Sequence, residues 1–207
     1  MGCKVLVIII ALCIYPIFEV SAQSDWHLAK DKNGIQVYTR TVGVENLKEY
    51  KAVAELSCSM DLAEYIFDDV PKYPEWQANI GSAEVLEIEN EINQYNYFIA
   101  DVPWPLTDRD LVVYSTKTNP GNDTIRYEFV CDSLYMTPED NYVRMQDCSG
   151  VWEIIQLQNN EVQVSHQFYG DPEGSVPDWV VNMFIVDGPY KTFMKLKRLI
   201  NELLEFH

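Results

Sequence analysis

Residues 177–204 read PDWVVNMFIVDGPYKTFMKLKRLINELL, and no other stretch is as informative about the fold class of the chain. Pro177-Asp178 is typical of a helix start, and Gly188-Pro189 predicts a kink inside the helix. From Val180 to Phe193 the apolar positions cover most of the helix circumference, which is more than one packed face requires. The pattern therefore predicts a long terminal helix enclosed by other elements. It is compatible both with a solid core around the helix and with a cavity beside it.

The segment before this helix has the period of β-strands. From Gly81 to Tyr169 apolar and polar residues alternate, and turn residues such as Asn119-Pro120-Gly121-Asn122 and Asn159-Asn160 interrupt the alternation. The pattern predicts strands at Ala83–Glu89, Gln94–Val102, Leu111–Thr118, Thr124–Asp132, Tyr142–Gln156 and Glu161–Tyr169. Strands that follow one another without intervening helices are typical of an antiparallel meander.

The region before residue 81 adds two strands and short helices. Asn33-Gly34 indicates a turn, and Ser59 or Asp61 is expected to cap a helix that ends before Pro71. The predicted elements are a helical lead at Asp25–Lys30, strands at Ile35–Val42 and Leu47–Ser57, and a short helix at Tyr73–Asn79. With about eight strands and one long terminal helix, the chain is predicted to be an α+β protein. The last helix is expected to cover the concave face of one curved antiparallel sheet.

The first 22 residues have the features of a signal peptide. Lys4 supplies a positive start, Val5–Phe18 is an uncharged apolar run, and Val20-Ser21-Ala22 offers small residues for cleavage. We predict cleavage after Ala22, one domain at 23–207, and export to the periplasm or the extracellular space. A membrane anchor is the alternative, but an apolar run of about 14 residues is shorter than the roughly 20 that a spanning helix needs.

Charge and composition narrow the classes of function. With 15 basic and 32 acidic side chains the chain carries a formal net charge of -17, which repels a polyanion and argues against nucleic-acid binding. The 5 Trp, 13 Tyr and 8 Phe residues supply large apolar side chains for a core, a cavity or an interface. We expect a monomer with a large apolar interior.

Residues that commonly hold metals, cofactors or nucleophiles form no recognisable motif in this sequence. The three histidines are too far apart for a metal-binding spacing: His27, His166 and His207. The cysteines after the leader are odd in number, which leaves at least one thiol free and indicates no disulfide framework: Cys58, Cys131 and Cys148. GxSxG, GxxxxGK[ST] and GxGxxG are absent. The sequence indicates no cofactor, and it lowers the expectation of an enzyme.

The most specific stretch is Pro103-Trp104-Pro105-Leu106-Thr107-Asp108-Arg109-Asp110-Leu111, a shaped corner before an apolar strand. Two later motifs are Val143-Arg144-Met145 leading to Gly150-x-Trp152, and Asp171-Pro172-x-Gly174-x-Val176-Pro177-x-Trp179-Val180-x-Asn182. In order and spacing these motifs resemble the START family, the steroidogenic acute regulatory protein-related lipid-transfer domains. Weaker agreement at Gly34-x-x-Val37-x-x-Arg40 and Tyr73-x-x-Trp76 extends the resemblance over residues 25–204. Together with the leader, it suggests an exported bacterial member.

The resemblance implies a helix-grip (START/Bet v 1-like) fold, in which a curved antiparallel sheet wraps the C-terminal helix and leaves an internal cavity. It implies a partner that is a lipid or another hydrophobic small molecule, bound singly and transferred without catalysis. The residues expected to bind it are Trp104, Arg109, Arg144, Trp152, His166, Phe168, Val181, Phe184 and Ile185. Positions 109 and 144 are those where the family places basic residues.

Two of these residues are polar side chains on apolar strand faces. Alternation places Arg144 with Trp152 if no bulge intervenes near Gly150, and it places His166 with Phe168. Because an unpartnered buried polar group costs roughly 1 to 3 kcal/mol, either side chain is a candidate to meet the polar end of a lipid. For His166 the alternative is a core histidine whose hydrogen bonds are satisfied.

Arg109 is open between a ligand contact and a structural ion pair. Asp101, Asp108 and Asp110 are the candidate acidic partners of the two arginines, and none has a spacing that singles it out.

Three functions are compatible with these features. The first is a lipid carrier, and the second is a cavity-based cyclase or hydrolase that uses His166, Tyr97 or Asp101 as an acid or base. The third is a lipid-responsive sensor. The missing nucleophile and metal motifs favour the carrier. The basic residues at 191–198 indicate either a transient membrane contact or a solvated helix face.

Overall fold

The computed structural model describes residues 26–43, 47–121, 123–158 and 160–205. The predicted signal peptide, Asn122, Asn159 and His207 lie outside these residues, so cleavage and export remain predictions. Within the described ranges, no helix combines the length and the apolar character needed to cross a bilayer.

The first three strands form an antiparallel sheet edge: β1 (His27–Lys32), β2 (Ile35–Val42) and β3 (Leu47–Leu56). Strand β1 shows that the predicted helical lead was wrong. Asn33 and Gly34 have φ angles of 56° and 67°, the geometry of a two-residue hairpin turn that folds β1 back onto β2. The ladder with β2 therefore overrides the local helix signal.

Helices and a meander follow β3. Ser59 caps α1 (Met60–Asp68) by accepting the N–H of Leu62 at 3.2 Å. One 3-10 turn (Val70–Lys72) leads into α2 (Tyr73–Trp76). The meander consists of β4 (Ile80–Ile88), β5 (Asn93–Ala100), β6 (Arg109–Thr118) and β7 (Thr124–Cys131), close to the predicted strands.

The predicted strand at Tyr142–Gln156 is interrupted. Its first part, β8 (Val143–Arg144), pairs in parallel with β6, and its second part, β9 (Cys148–Gln156), pairs with β7 and with β10 (Val162–Gly170). The N–H of Met145 donates to the carbonyl of Asp110 at 2.9 Å, which holds β8 beside β6 and out of line with β9. The expected alternation from Arg144 to Trp152 therefore fails.

The cysteines correct a second expectation. Cys131, at the end of β7, forms a disulfide with Cys148, at the start of β9. Cys58 is the free thiol and is buried. A count of three cysteines did not reveal this pair, because pairing depends on which strands become neighbours.

The terminal helix runs from Asp178 to Glu205 in three parts. These are α3 (Asp178–Asn182), a π-helical segment (Met183–Asp187) and α4 (Gly188–Glu205). The predicted irregularity at Gly188-Pro189 thus coincides with the change from π- to α-helix. A Cβ at Gly188 would lie 2.9 Å from Nδ2 of Asn79, so the absent side chain allows the close approach.

The strands form one ten-stranded sheet in the order β1-β2-β3-β10-β9-β7-β6-β5-β4, with β8 attached to β6. Every pairing is antiparallel except that of β6 with β8. Helix α4 packs on β2 and β3, and α1 packs on β9. Phe67, Trp76, Trp152 and Phe193 form an aromatic core between these layers, with neighbouring ring centroids 5.1–5.8 Å apart. The predicted helix-grip fold is confirmed.

Candidate functional site

The helices and the sheet enclose a cavity of about 560 Å³. This volume lies within the range of about 300 to 1,000 Å³ that is usual for pockets holding one small molecule. The apolar residues of its lining come from both layers and include Phe98, Leu111, Phe129, Val180, Val181 and Phe184. The helix is apolar around most of its circumference because one side faces this cavity while another packs on the sheet. The helix therefore lies beside a cavity and is not surrounded by a solid core.

Strand alternation decides which side chains reach the cavity. Along β6, Arg109, Leu111, Val113, Ser115 and Lys117 belong to the lining. The even-numbered residues of this strand point to the opposite face of the sheet. The sequence-predicted residues that line the cavity are Arg109, Trp152, His166, Phe168, Val181, Phe184 and Ile185.

His166 lies on a wall of aromatic rings. Its imidazole stacks on Trp152, with ring centroids 3.7 Å apart and an interplanar angle of 6°. Its Nδ1 lies 2.9 Å from Oη of Tyr50, and its Nε2 has no hydrogen-bond partner among the described residues. Burial lowers the pKa of His166 to about 3, so the ring is neutral at physiological pH. Burial likewise raises the pKa of Tyr50, which keeps its proton.

Arg109 joins two loops at the edge of the cavity. Its Nε donates to the carbonyl of Pro172 at 3.0 Å, its Nη2 to the carbonyl of Glu173 at 3.3 Å, and its Nη1 to the carbonyl of Thr107. Among the described residues, the hydrogen-bond acceptors of Arg109 are therefore backbone carbonyls and not a carboxylate. The structural contact considered for Arg109 is thus this set of three carbonyl hydrogen bonds, the Arg109 clasp, and not an ion pair. Desolvation lowers the pKa of Arg109, although the guanidinium remains charged.

Arg144 lies outside the cavity lining. Its Nη2 is 2.7 Å from Oδ2 of Asp110. The side chain of Asp110 points away from the cavity, because Asp110 alternates on β6 with Arg109 and Leu111, which line it. Tyr97 donates to the same carboxylate at 3.0 Å. Asp110 is thus the acidic partner that the sequence left open. The sequence did not single it out because β8 reaches it only through the parallel pairing with β6.

Sequence reasoning missed a polar end of the cavity on β5 and β6. Asn96 is 2% exposed; its Nδ2 donates to Oγ of Ser115 at 3.0 Å, and its Oδ1 accepts from Gln94 at 2.9 Å. Next to Ser115 along the strand face, Lys117 contacts Asp68 at 2.8 Å and so ties α1 to β6. The alternation of Gln94 and Asn96 with tyrosines was the available signal, since two polar residues on one strand face indicate a polar lining.

Trp104 is 90% exposed and lies outside the cavity lining. Trp179, at the start of the terminal helix, is 55% exposed. Trp104 lies in the loop that contains Thr107, and Trp179 follows the loop that contains Pro172 and Glu173; Arg109 joins these two loops. In the basic segment at 191–198, Lys197 donates to the carbonyl of Asn33 and Arg198 pairs with Glu202, so half of its cations are engaged within the molecule.

Comparison with known proteins agrees with this geometry. Residues 20–203 match the START domain family. An uncharacterized protein of Pseudomonas aeruginosa is 27% identical over 189 residues, which cover 91% of this chain and 93% of that protein. The phosphatidylcholine transfer protein of Mus musculus is 23% identical over 175 residues, which cover 80% of this chain and 78% of that protein.

Solved structures show the same architecture. The crystal structure of a STAR-related lipid transfer protein from Xanthomonas axonopodis superposes with a TM-score of 0.78 at 28% identity, covering 86% of this chain and 99% of that one. Human StAR-related lipid transfer protein 5 gives a TM-score of 0.75 at 17% identity, with 88% and 89% covered. The second likeness concerns the fold alone.

Proposed function

Because the chain belongs to the START domain family, we propose that it binds one hydrophobic lipid molecule in its internal cavity and transfers it without catalysing a reaction. The observation that carries the proposal is the apolar cavity of about 560 Å³ between the sheet and the terminal helix. Burial of apolar ligand surface contributes roughly 25 cal/mol per Å², so a cavity with this lining binds by removing the ligand from water. The names of the lipid-transfer relatives support the same function.

The positions of the candidate acids and bases favour a carrier over an enzyme. Of His166, Tyr97 and Asp101, only His166 lines the cavity. Tyr97 donates to Asp110 on the opposite sheet face, and Asp101 is exposed. A lone histidine whose pKa is lowered to about 3 is a poor general base near neutral pH.

Transfer requires a transient contact with a membrane, and we propose that Trp104 and Trp179 make it. Exposed tryptophans are favoured at the membrane interface, where the ring meets both apolar and polar groups. Both residues lie in regions adjoining the Arg109 clasp, which is itself part of the cavity lining. We further propose an exported protein, on the basis of the leader at 1–22.

Native mass spectrometry of the purified protein after exposure to a mixed lipid extract tests the binding function. We expect an adduct of one lipid mass at one-to-one stoichiometry. Transfer is then measured from labelled donor vesicles to acceptor vesicles, with Trp104→Ala and Trp179→Ala expected to slow transfer while leaving the adduct in place. An unliganded mass with every lipid class would contradict the carrier, and chemical turnover of a bound compound would favour the enzyme.

A further inference from the structure

The imidazole of His166 lies in the wall of the cavity, and one of its two nitrogens makes no contact that supports the fold. His166 is 7% exposed, lines the cavity and stacks on Trp152. Its Nδ1 is 2.9 Å from Oη of Tyr50, whereas Nε2 is buried and has no partner among the described residues. A buried polar atom left in this way costs about 1 to 3 kcal/mol, so a ligand atom that pairs with it gains affinity.

The contact with Tyr50 decides the tautomer of the ring. The phenol of Tyr50 has a single proton, and in the part of the chain that the structure describes its hydroxyl has His166 as its one hydrogen-bond partner. If the O–H donates to Nδ1, Nε2–H is the one group of this pair left unpaired, whereas donation from Nδ1–H to Oη would leave both the phenol proton and Nε2 unpaired. The first arrangement costs less and places the ring proton on Nε2. His166 then presents an N–H donor to the cavity, and the complementary group is an acceptor.

We propose that the bound molecule carries an uncharged oxygen acceptor, such as a carbonyl or ether oxygen, that accepts a hydrogen bond from Nε2–H of His166. This inference rests on the proposed lipid-binding function and names the chemistry of the ligand's polar end. Nε2 is itself buried, so the imidazole or its neighbours must shift for a ligand oxygen to reach it. Phe129 and Phe168 are neighbouring rings that also line the cavity, with centroids 6.3 Å from the imidazole.

The surroundings of His166 favour a neutral acceptor over an anionic one. The imidazole is uncharged near neutral pH, because burial lowers the pKa of His166 to about 3. In the described ranges, the three cations that line the cavity are engaged elsewhere. Arg109 donates to backbone carbonyls, Lys117 pairs with Glu64 and Asp68, and Lys48 is exposed and donates to Oγ1 of Thr41 at 2.9 Å. An anion beside His166 would lose its hydration without gaining a counter-charge.

The first test is NMR spectroscopy of the whole protein with nitrogen-15 in its histidines. The long-range couplings between ring nitrogens and carbon-bound protons identify the protonated nitrogen, and we expect the Nε2–H form of His166. A saturated long-chain methyl ketone and the n-alkane of equal chain length are then added in turn. The ketone should shift the Nε2 resonance, and the alkane should leave it nearly unchanged.

The second test measures the affinity of the same two compounds for variants. His166→Phe keeps an aromatic ring against Trp152 and removes both nitrogens. We expect about a tenfold loss of affinity for the ketone and no loss for the alkane, the size of one hydrogen bond. Tyr97→Phe is the matched control, because it removes a buried tyrosine hydroxyl on the opposite face of the sheet and should change neither affinity.

The outcomes separate the two proposals. Failure of both compounds and of the lipid extract to bind would overturn the carrier function and this inference together. If both compounds bind, three results would each overturn the role of His166 and leave the carrier in place. These results are an Nδ1–H tautomer, equal losses of affinity for the two compounds in His166→Phe, and an Nε2 that is bonded only to water. If His166→Phe does not fold, the spectra of the unaltered protein still decide between these outcomes.

Discussion

The guanidinium of Arg144 lies 2.7 Å from the carboxylate of Asp110, on the sheet face opposite the cavity. Their side chains are 5% and 0% exposed, and Tyr97 donates to the same carboxylate. Arg144 also donates to the carbonyls of Ser133 and Met136. Arg144 therefore joins the loop between β7 and β8 to Asp110, on the face of the sheet opposite the cavity. This gives Arg144 a structural role.

Removal of one partner from this buried pair should destabilise the protein. For Arg144→Met we expect a loss of about 3 to 5 kcal/mol in the free energy of unfolding, because Asp110 is left charged and buried. Urea denaturation measures it. Arg198→Ala, which removes an exposed pair with Glu202, is the control and should change stability little. Unchanged stability with lost lipid binding would instead place Arg144 at the ligand.

Arg109→Lys should loosen the two loops that the guanidinium joins. A lysine ammonium lacks the planar fork that reaches the carbonyls of Thr107, Pro172 and Glu173. Hydrogen exchange followed by mass spectrometry should show faster exchange at 101–108 and 171–177, with the meander unchanged. Equal exchange in both proteins would mean that the loops are held by other contacts.

Filling the cavity should abolish ligand uptake without unfolding the protein. Val181 lines the cavity, so the added volume of Val181→Trp is accommodated there. Val130→Trp is the control, because Val130 is 52% exposed. Native mass spectrometry should show the lipid adduct in the control alone. Global unfolding of Val181→Trp would indicate a filled interior, where overpacking costs about 1 to 3 kcal/mol.

Acid should destabilise the fold through His166. The pKa of His166 is lowered from 6.5 to about 3, so the unfolded chain binds a proton at this residue before the folded protein does. The free energy of unfolding should therefore fall as the pH drops from 6.5 towards 3. In His166→Phe the decline between pH 6.5 and about 5, above the usual carboxylate range, should be weaker. Equal slopes in the two proteins would mean that His166 is solvated.

The disulfide should contribute measurably to stability. Cys131 and Cys148 are separated by 17 residues, and closing a loop of about this size stabilises a fold by about 3 kcal/mol. We expect a loss of this order in the Cys131→Ser/Cys148→Ser double variant, measured by urea denaturation.

Burial raises the pKa of Cys58 to about 11, so this thiol should react with alkylating reagents only on unfolding. Rapid alkylation of the native protein would contradict that assignment.

Much of the fold was predictable because it depends on local pattern. The alternation in β5, β6 and β7, the Ser59 cap and the Asn33-Gly34 turn act within a few residues of chain, so the sequence displays them directly. The apolar terminal helix and the motifs around 103–111 and 171–182 also indicated the helix-grip architecture. His166 was likewise placed correctly on an apolar strand face, since β10 has no bulge.

The order and type of the main elements, and the family they resemble, could thus be read from the amino-acid sequence. Packing decided the rest: that 27–32 is a strand, that Arg144 pairs with Asp110, that Cys131 pairs with Cys148, and that the helix faces a cavity and not a solid core. Each of these depends on which distant residues become neighbours. Periodicity records which side of an element is apolar, but the space left between two apolar faces exists only after the chain has packed.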